Sequence, residues 1–316
     1  MSARAFVELC EVGPRDGLQN ERRIVSVADK LRYIALLAGA GFREIEATSF
    51  VRPKWVPQLA DAEEVLPAAI AAHPGTLFSV LVPNERGLER ALACGARKVS
   101  VFTAASEGFA RRNINATIAE SIERFRPVVA RARAAGVPVR GYVSCAVACP
   151  FDGPVAPEAV RETCARLAEV GVDELDLGDT IGVAHPDEIE RMLAACAEVR
   201  PMEQLVLHLH DTHGRALACA GRALDLGVRR FDGSTGGIGG CPYAPGATGN
   251  VATERLAELC EARGFATGVD RGQLAEAARF IAGVLGPAAP LDPAAPLDPA
   301  APVDPAAPLG SAPPPG

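Results

Sequence analysis

Two histidines one residue apart, His208 and His210 in HLHDTHG, carry the sharpest chemical signal in the chain. At i and i+2 on a strand, both imidazoles project to one side. Such a pair facing a protein interior needs partners, because buried polar groups left unpaired are costly. A divalent cation is the natural partner; hydrogen bonds alone are the plainer alternative. Asp16 offers a carboxylate as a third ligand and Asn250 an amide oxygen. That donor set suits Mg²⁺ or Mn²⁺ with waters completing six positions, whereas zinc usually prefers a closed four-coordinate set. Two histidines and a carboxylate also describe a non-haem iron oxygenase.

Two further groups could act beside such an ion. Arg15 precedes Asp16 and offers a fixed cation for a developing oxyanion. Its alternative role is an ion pair with Glu46 or Asp179. Cys241 lies in Asp232–Gly249, a stretch with seven glycines and two prolines. No helix or strand interior favours that composition, so the expectation is a mobile flap whose thiol moves a proton to or from carbon. Glu11, Glu46 and Asp179 are expected to orient Arg15 and water around the ion.

These residues must be brought together by the elements that end at them. Eight short strand candidates recur along the chain: Phe6–Val12, Glu44–Ala47, Leu77–Leu81, Lys98–Phe102, Val139–Ser144, Glu174–Leu177, Leu205–His210 and Arg230–Asp232. Helical stripes intervene, among them Val27–Ala40, Pro157–Val170, His185–Val199 and Arg215–Leu226. Five phrases repeat a glycine stop followed by a strand start: GAGF, CGARKV, AGVPV, VGVDEL and LGVRRF. This rhythm predicts an α/β protein of the (β/α)8 barrel class, with the working residues where strands end. An open doubly wound sheet is the competitor, but GPRDGLQNE follows the first strand where a dinucleotide fold would carry G-x-G-x-x-G.

Composition narrows the class. The 316 residues are 48% hydrophobic, enough for a large core, and the net charge is −7. An acidic chain without basic runs is a poor partner for nucleic acid. No stretch approaches the ~20 apolar residues of a membrane span. Nine scattered cysteines read as reduced thiols, and with no leader in MSARAFVELCEVG they point to the cytoplasm. Cys145 and Cys149 read as structural rather than as half of a zinc site. The barrel is expected over 1–286. Residues 287–316, which repeat PAAPLD, are expected to form a disordered Pro/Ala-rich tail.

EVGPRDGLQNE (11–21), IEATSFVRPKWVPQ (45–58), AASEGFARRNIN (104–115), GDTIG (178–182), HLHDTHG (208–214) and GGIGGCPYAPGATGN (236–250) together resemble the 3-hydroxy-3-methylglutaryl-CoA lyases of the DRE-TIM metallolyase superfamily. The likeness spans about residues 5–285. It implies cleavage of that thioester to acetyl-CoA and acetoacetate. It also implies metal ligands at Asp16, His208, His210 and Asn250, a catalytic arginine at Arg15 and a loop acid–base at Cys241. Glu46 and Asp179 match acidic active-site positions, and Glu254 falls in a matching turn. The hydroxyl proton goes to His208 or to Asp16. Arg111, Arg112 and Asn113 are expected to meet the CoA phosphates, and the chain is expected to form a homodimer. Position 213 departs from the family, with His where Tyr is common. A lyase for a longer-chain 3-hydroxy-3-acylglutaryl-CoA, or a carboxylate-condensing synthase, is the alternative inside the superfamily.

Overall fold

Several strands of the protein, Glu44–Ser49 and Glu174–Asp179 most clearly, alternate apolar residues with polar or charged ones, and that alternation decides which side faces the helices. The computed structural model describes residues 4–240 and 249–286. Cys241 and the segment 287–316 lie outside them. The strands are β1 (Glu8–Glu11), β2 (Glu44–Ser49), β3 (Leu77–Leu81), β4 (Lys98–Ala104), β5 (Val139–Ser144), β6 (Glu174–Asp179), β7 (Leu205–Leu209) and β8 (Arg230–Gly233). All pair in parallel in chain order, and β8 returns to β1 from Glu8↔Arg230 to Glu11↔Gly233. The result is a closed (β/α)8 barrel.

Helices fill the outside: α1 (Val27–Gly39), α2 (Ala62–Ala72), α3 (Glu85–Ala93), α4 (Glu107–Ile114), α5 (Ile118–Ala134), α6 (Pro157–Val170), α7 (Pro186–Cys196), α8 (Ala216–Leu226), α9 (Thr253–Ala262) and α10 (Arg271–Leu285). Local chemistry sets their starts. Ser26, Asn84 and Ser106 accept the N–H of the residue three positions on, and Thr117 closes a reciprocal capping box with Glu120. One glycine in each of the five repeated phrases, Gly41, Gly95, Gly136, Gly171 and Gly227, adopts positive φ, from 69° at Gly136 to 106° at Gly227. Each can reverse the chain from helix to strand because it has no Cβ to clash.

Several boundaries move from the sequence reading. β1 is shorter, while β2, β4 and β6 run two residues further. Helix α7 covers only Pro186–Cys196, because His185 caps it and its last turn loosens before Pro201. β7 ends at Leu209, and His210 instead forms a bridge with Asn250. Cys149 lies in a two-residue hairpin strand whose sulfur accepts the N–H groups of Phe151 and Asp152, both at 3.3 Å. That fits a structural thiol. No helix among the described residues is long and apolar enough to cross a membrane.

The apolar residues of the strands, such as Ile45, Val99, Val101, Leu175, Leu177 and Phe231, pack with the helices into one core. Alternate residues turn inward, and several of them are charged. Lys98 on β4 reaches Glu44 on β2 and Glu174 on β6, each at 2.7 Å. Arg140 on β5 meets Glu44 at 3.2 Å, Glu174 at 3.0 Å, Asp176 at 3.4 Å and Asp232 at 3.0 Å. The Lys98 pairs and the Arg140 contacts to Glu44 and Asp232 join strands that are not neighbours and so cross the lumen, whereas Glu174 and Asp176 reach Arg140 from the adjacent strand. An uncompensated buried charge is strongly destabilising, and here the carboxylates surround their cations. Burial and the adjacent Asp232 push the Asp176 carboxyl well above the ordinary range.

Candidate metal centre at the barrel mouth

The site is built from the C-terminal ends of β1, β2, β5, β7 and β8. After Glu11 the chain makes a tight turn, Gly13–Gly17, with the N–H groups of Asp16 and Gly17 both bonding Val12 O. This turn sets Arg15 and Asp16 side by side, joined at 2.6 Å. Buried Glu11 anchors it by accepting from Gly13 N, Thr235 N, Thr235 Oγ1 and Thr253 Oγ1 at 2.7–2.9 Å. A single carboxylate thereby ties the β1 turn to the segment after β8 and to the start of α9. Burial raises the pKa of Glu11 to about 7, even though the Thr235 and Gly13 donors pull the other way.

Arg15 Nε bonds Glu46 Oε2 at 2.5 Å. Of its two alternative partners, the structure selects Glu46. Asp179 is not brought to the cluster. Side chains alternate along β6, so Asp176 and Gly178 face inward while Asp179 turns away, and its carboxylate accepts the N–H groups of Val183 and Ala184 at 3.3 and 3.0 Å. It shapes the loop before α7.

His208 and His210 do project to the same side, with ring centroids 5.3 Å apart. His208 Nε2 lies 3.9 Å from Asp16 Oδ2, and its Nδ1 lies 3.3 Å from Asp232 Oδ2. The donor atoms of Asp16, His208 and His210 all fall within 4.8 Å of one another. Among the described residues, His210 Nδ1 is a buried polar atom without a hydrogen-bond partner. An orphan nitrogen beside a carboxylate and a second imidazole is the situation a divalent cation relieves. Asn250 sits against the cluster, with its amide nitrogen donating to Asp16 Oδ2 at 2.9 Å and to Ile238 O at 3.1 Å. Presenting its oxygen to an ion would require a half-turn of that amide.

The electrostatics are uneven. Burial alone would raise Asp16, but Arg15, His208 and His210 outweigh it and hold the carboxylate well below its usual range. Burial would lower His208, yet Asp232 and Asp16 lift it to about 9. His210 falls to about 4, through burial and its neighbour His208. Burial also raises Glu46 against the opposing pull of Arg15.

Arg15, Asp16, His208, His210 and Tyr142 form one end of a cavity of about 260 Å³ whose apolar wall includes Val51, Trp55, Leu81, Phe102 and Phe109. Asn113 also lines it. Arg111 and Arg112 stand exposed on the last turn of α4, the former near Glu107 at 3.8 Å and the latter over the Phe151 ring at 4.3 Å. Cys241 lies outside the described residues. The stems that flank it meet, however, because Asn250 N bonds Gly239 O at 2.9 Å. The sequence reading missed Tyr142, whose hydroxyl lies 3.2 Å from Glu46 and 3.3 Å from Asp232, and it missed Asp232 itself. The signal was present as polar residues at alternate strand positions.

A sequence model of the HMGL-like family matches residues 6–281. A hydroxymethylglutaryl-CoA lyase of Pseudomonas mevalonii is 51% identical over 89% of this chain and 93% of its own. The chain belongs to the hydroxymethylglutaryl-CoA lyase family. The solved HMG-CoA lyase of Brucella melitensis superposes with a TM-score of 0.86 at 50% identity, over 89% of this chain and 99% of that one. An HMG-CoA lyase from Acenitobacter baumannii, solved in complex with coenzyme A and 3-methylmalate, matches with a TM-score of 0.85 at 36% identity, over 90% of this chain and 93% of its own.

Proposed function

We propose that the protein cleaves 3-hydroxy-3-methylglutaryl-CoA to acetyl-CoA and acetoacetate with the help of Mg²⁺ or Mn²⁺. The observation that carries this reading is the convergence of Asp16, His208 and His210 on one point beside Arg15, in a chain half identical to named lyases. Those three residues, with Asn250, would hold the ion. When bound, it supplies a Lewis acid that makes a substrate hydroxyl more acidic at neutral pH.

The chain's own groups then carry the reaction. The C3 hydroxyl proton passes to Asp16 with a water; His208, the other candidate, has one ring nitrogen facing Asp16 and the other engaged with Asp232. As the C3 alkoxide becomes the ketone of acetoacetate, the C2–C3 bond breaks and its electron pair moves to the thioester as an enolate. Arg15, fixed by Glu46 and Asp16, is placed to meet the enolate oxygen with its charge. Protonation of C2 completes acetyl-CoA, and Cys241 is the proposed donor. The apolar wall at Trp55, Phe102 and Phe109 excludes water from that carbanion-like centre. Asn113 is proposed to meet the CoA arm in the cavity, with Arg111 and Arg112 at the exposed rim receiving its phosphates. The oxygenase alternative leaves Arg15 and Cys241 without tasks.

A barrel unit at 1–286 with an appended 287–316 segment, assembly as a homodimer and residence in the cytoplasm belong to the same proposal. Among the described residues no two cysteines are joined in a disulfide, in keeping with a reducing compartment. Light scattering and cell fractionation check assembly and location. The activity is tested by coupled detection of acetoacetate. Chelated protein is expected to be inactive and to recover with Mg²⁺ or Mn²⁺, whereas turnover unaffected by thorough chelation would refute a metal-dependent lyase.

A further inference from the structure

His208 has two ring nitrogens, and the cation site uses only one. The other, Nδ1, faces Asp232 Oδ2 at 3.3 Å, deep in the barrel. We propose that Asp232 is a positioning residue for the cation site: by accepting the Nδ1–H of His208 it fixes the tautomer and ring orientation that leave Nε2 bare toward Asp16. This rests on the metal-binding reading of Asp16, His208 and His210.

Three observations carry it. First, Asp232 is itself immobilised. It is 1% exposed, its Oδ1 accepts from Arg140 Nη1 at 3.0 Å, and its Oδ2 lies 3.3 Å from the Tyr142 hydroxyl. A carboxylate held from two sides can transmit its orientation to a third partner. Second, the His208 ring stands edge-on to Tyr142, at an interplanar angle of 87° and a centroid distance of 6.4 Å, so packing and hydrogen bond specify the same ring plane. Third, His210 has no counterpart, since its Nδ1 is buried without a partner among the described residues. The two imidazoles are therefore unequal: His208 is fixed in advance, and His210 is left to adjust. Asp176, His208 and Asp232 also lie close enough to hold an ion of their own. Arg140 argues against that role, because its guanidinium is already 3.4 Å from Asp176 and 3.0 Å from Asp232, where a dication would meet a fixed positive charge.

The test is a titration of the full-length, metal-free protein with Mn²⁺, read by electron paramagnetic resonance, with circular dichroism to verify folding. Wild type is expected to take one equivalent. Asp232→Asn should weaken binding roughly 10- to 100-fold. Glu174→Gln removes a carboxylate from the same Arg140 guanidinium, which it meets at 3.0 Å, without touching Asp232 or His208, and it should change affinity less than about threefold. Equal affinity in wild type and Asp232→Asn would overturn the positioning role while leaving the cation site standing. A wild type that binds no Mn²⁺ would overturn both, and two equivalents would favour a second ion over a positioning contact. Should Asp232→Asn not fold, ¹⁵N NMR of Mg²⁺-loaded wild type decides the matter. A proton on His208 Nδ1 is the expected result, and a proton on Nε2 overturns the proposal.

Discussion

Arg15 illustrates how one residue's surroundings decide its role. Its guanidinium is buried between Glu46 and Asp16, at 2.5 and 2.6 Å, and keeps its charge with a pKa raised well above the usual value, because these carboxylates outweigh the cost of burial. A cation so fixed has little reorganisation left to undergo when negative charge develops nearby. Arg15→Gln is expected to lower kcat by roughly 10²–10³-fold while leaving Mn²⁺ affinity no weaker, since Asp16 loses a competing cation. Steady-state kinetics and Mn²⁺ titration check this; near wild-type kcat would remove Arg15 from the chemistry. At this scale the sequence was most legible for His208, His210, Arg15 and Asp16, whose types and spacing declare their chemistry. It was misleading for Asp179, where adjacency to a strand end hid the fact that its side chain points away. It was ambiguous for Asp232 and Tyr142, because a polar residue inside a strand reads equally well as solvent-facing until the sheet is known to be closed.

Among the elements, Glu11 links the β1 turn, the segment after β8 and the start of α9 through four hydrogen bonds. Its native pKa of about 7 lies above its ordinary 4.5. Between those values the folded state binds more protons than the unfolded one, so this group's contribution falls as pH rises toward 7 and is fully unfavourable above it. Glu11→Gln cannot titrate. The stability of wild type relative to that variant should therefore drop between pH 5 and pH 8, by on the order of 2 kcal/mol. Urea unfolding at the two pH values measures it, and parallel profiles would contradict the account. Strand starts and glycine stops were readable because local backbone chemistry sets them. Strand ends were less so: the two extra residues of β2, β4 and β6 come from neighbours in the barrel, not from their own sequence.

For the whole molecule, the inversion of the strand pattern is the main physical feature. Helices cover the outside of the barrel, so apolar strand residues face outward and a charged cluster fills the lumen, where Lys98 and Arg140 bridge carboxylates from strands that are not neighbours. Five helix-ending glycines sufficed to infer the parallel barrel, whereas the charged lumen depends on contacts between strands far apart in sequence. The segment 287–316 shares none of this patterning. A chain ending at Gly286 is expected to retain kcat/KM within about twofold and its melting temperature within about 2 °C, because a PAAPLD repeat offers no apolar face to bury. A large loss of either would assign that segment a part in the fold or the site.

The account turns on one ion shared by Asp16, His208 and His210. Anomalous diffraction from crystals grown with Mn²⁺ measures this most directly. A single peak roughly 2.0–2.3 Å from an Asp16 oxygen and a nitrogen of each histidine is expected. A peak elsewhere, or an empty mouth in active crystals, would contradict it.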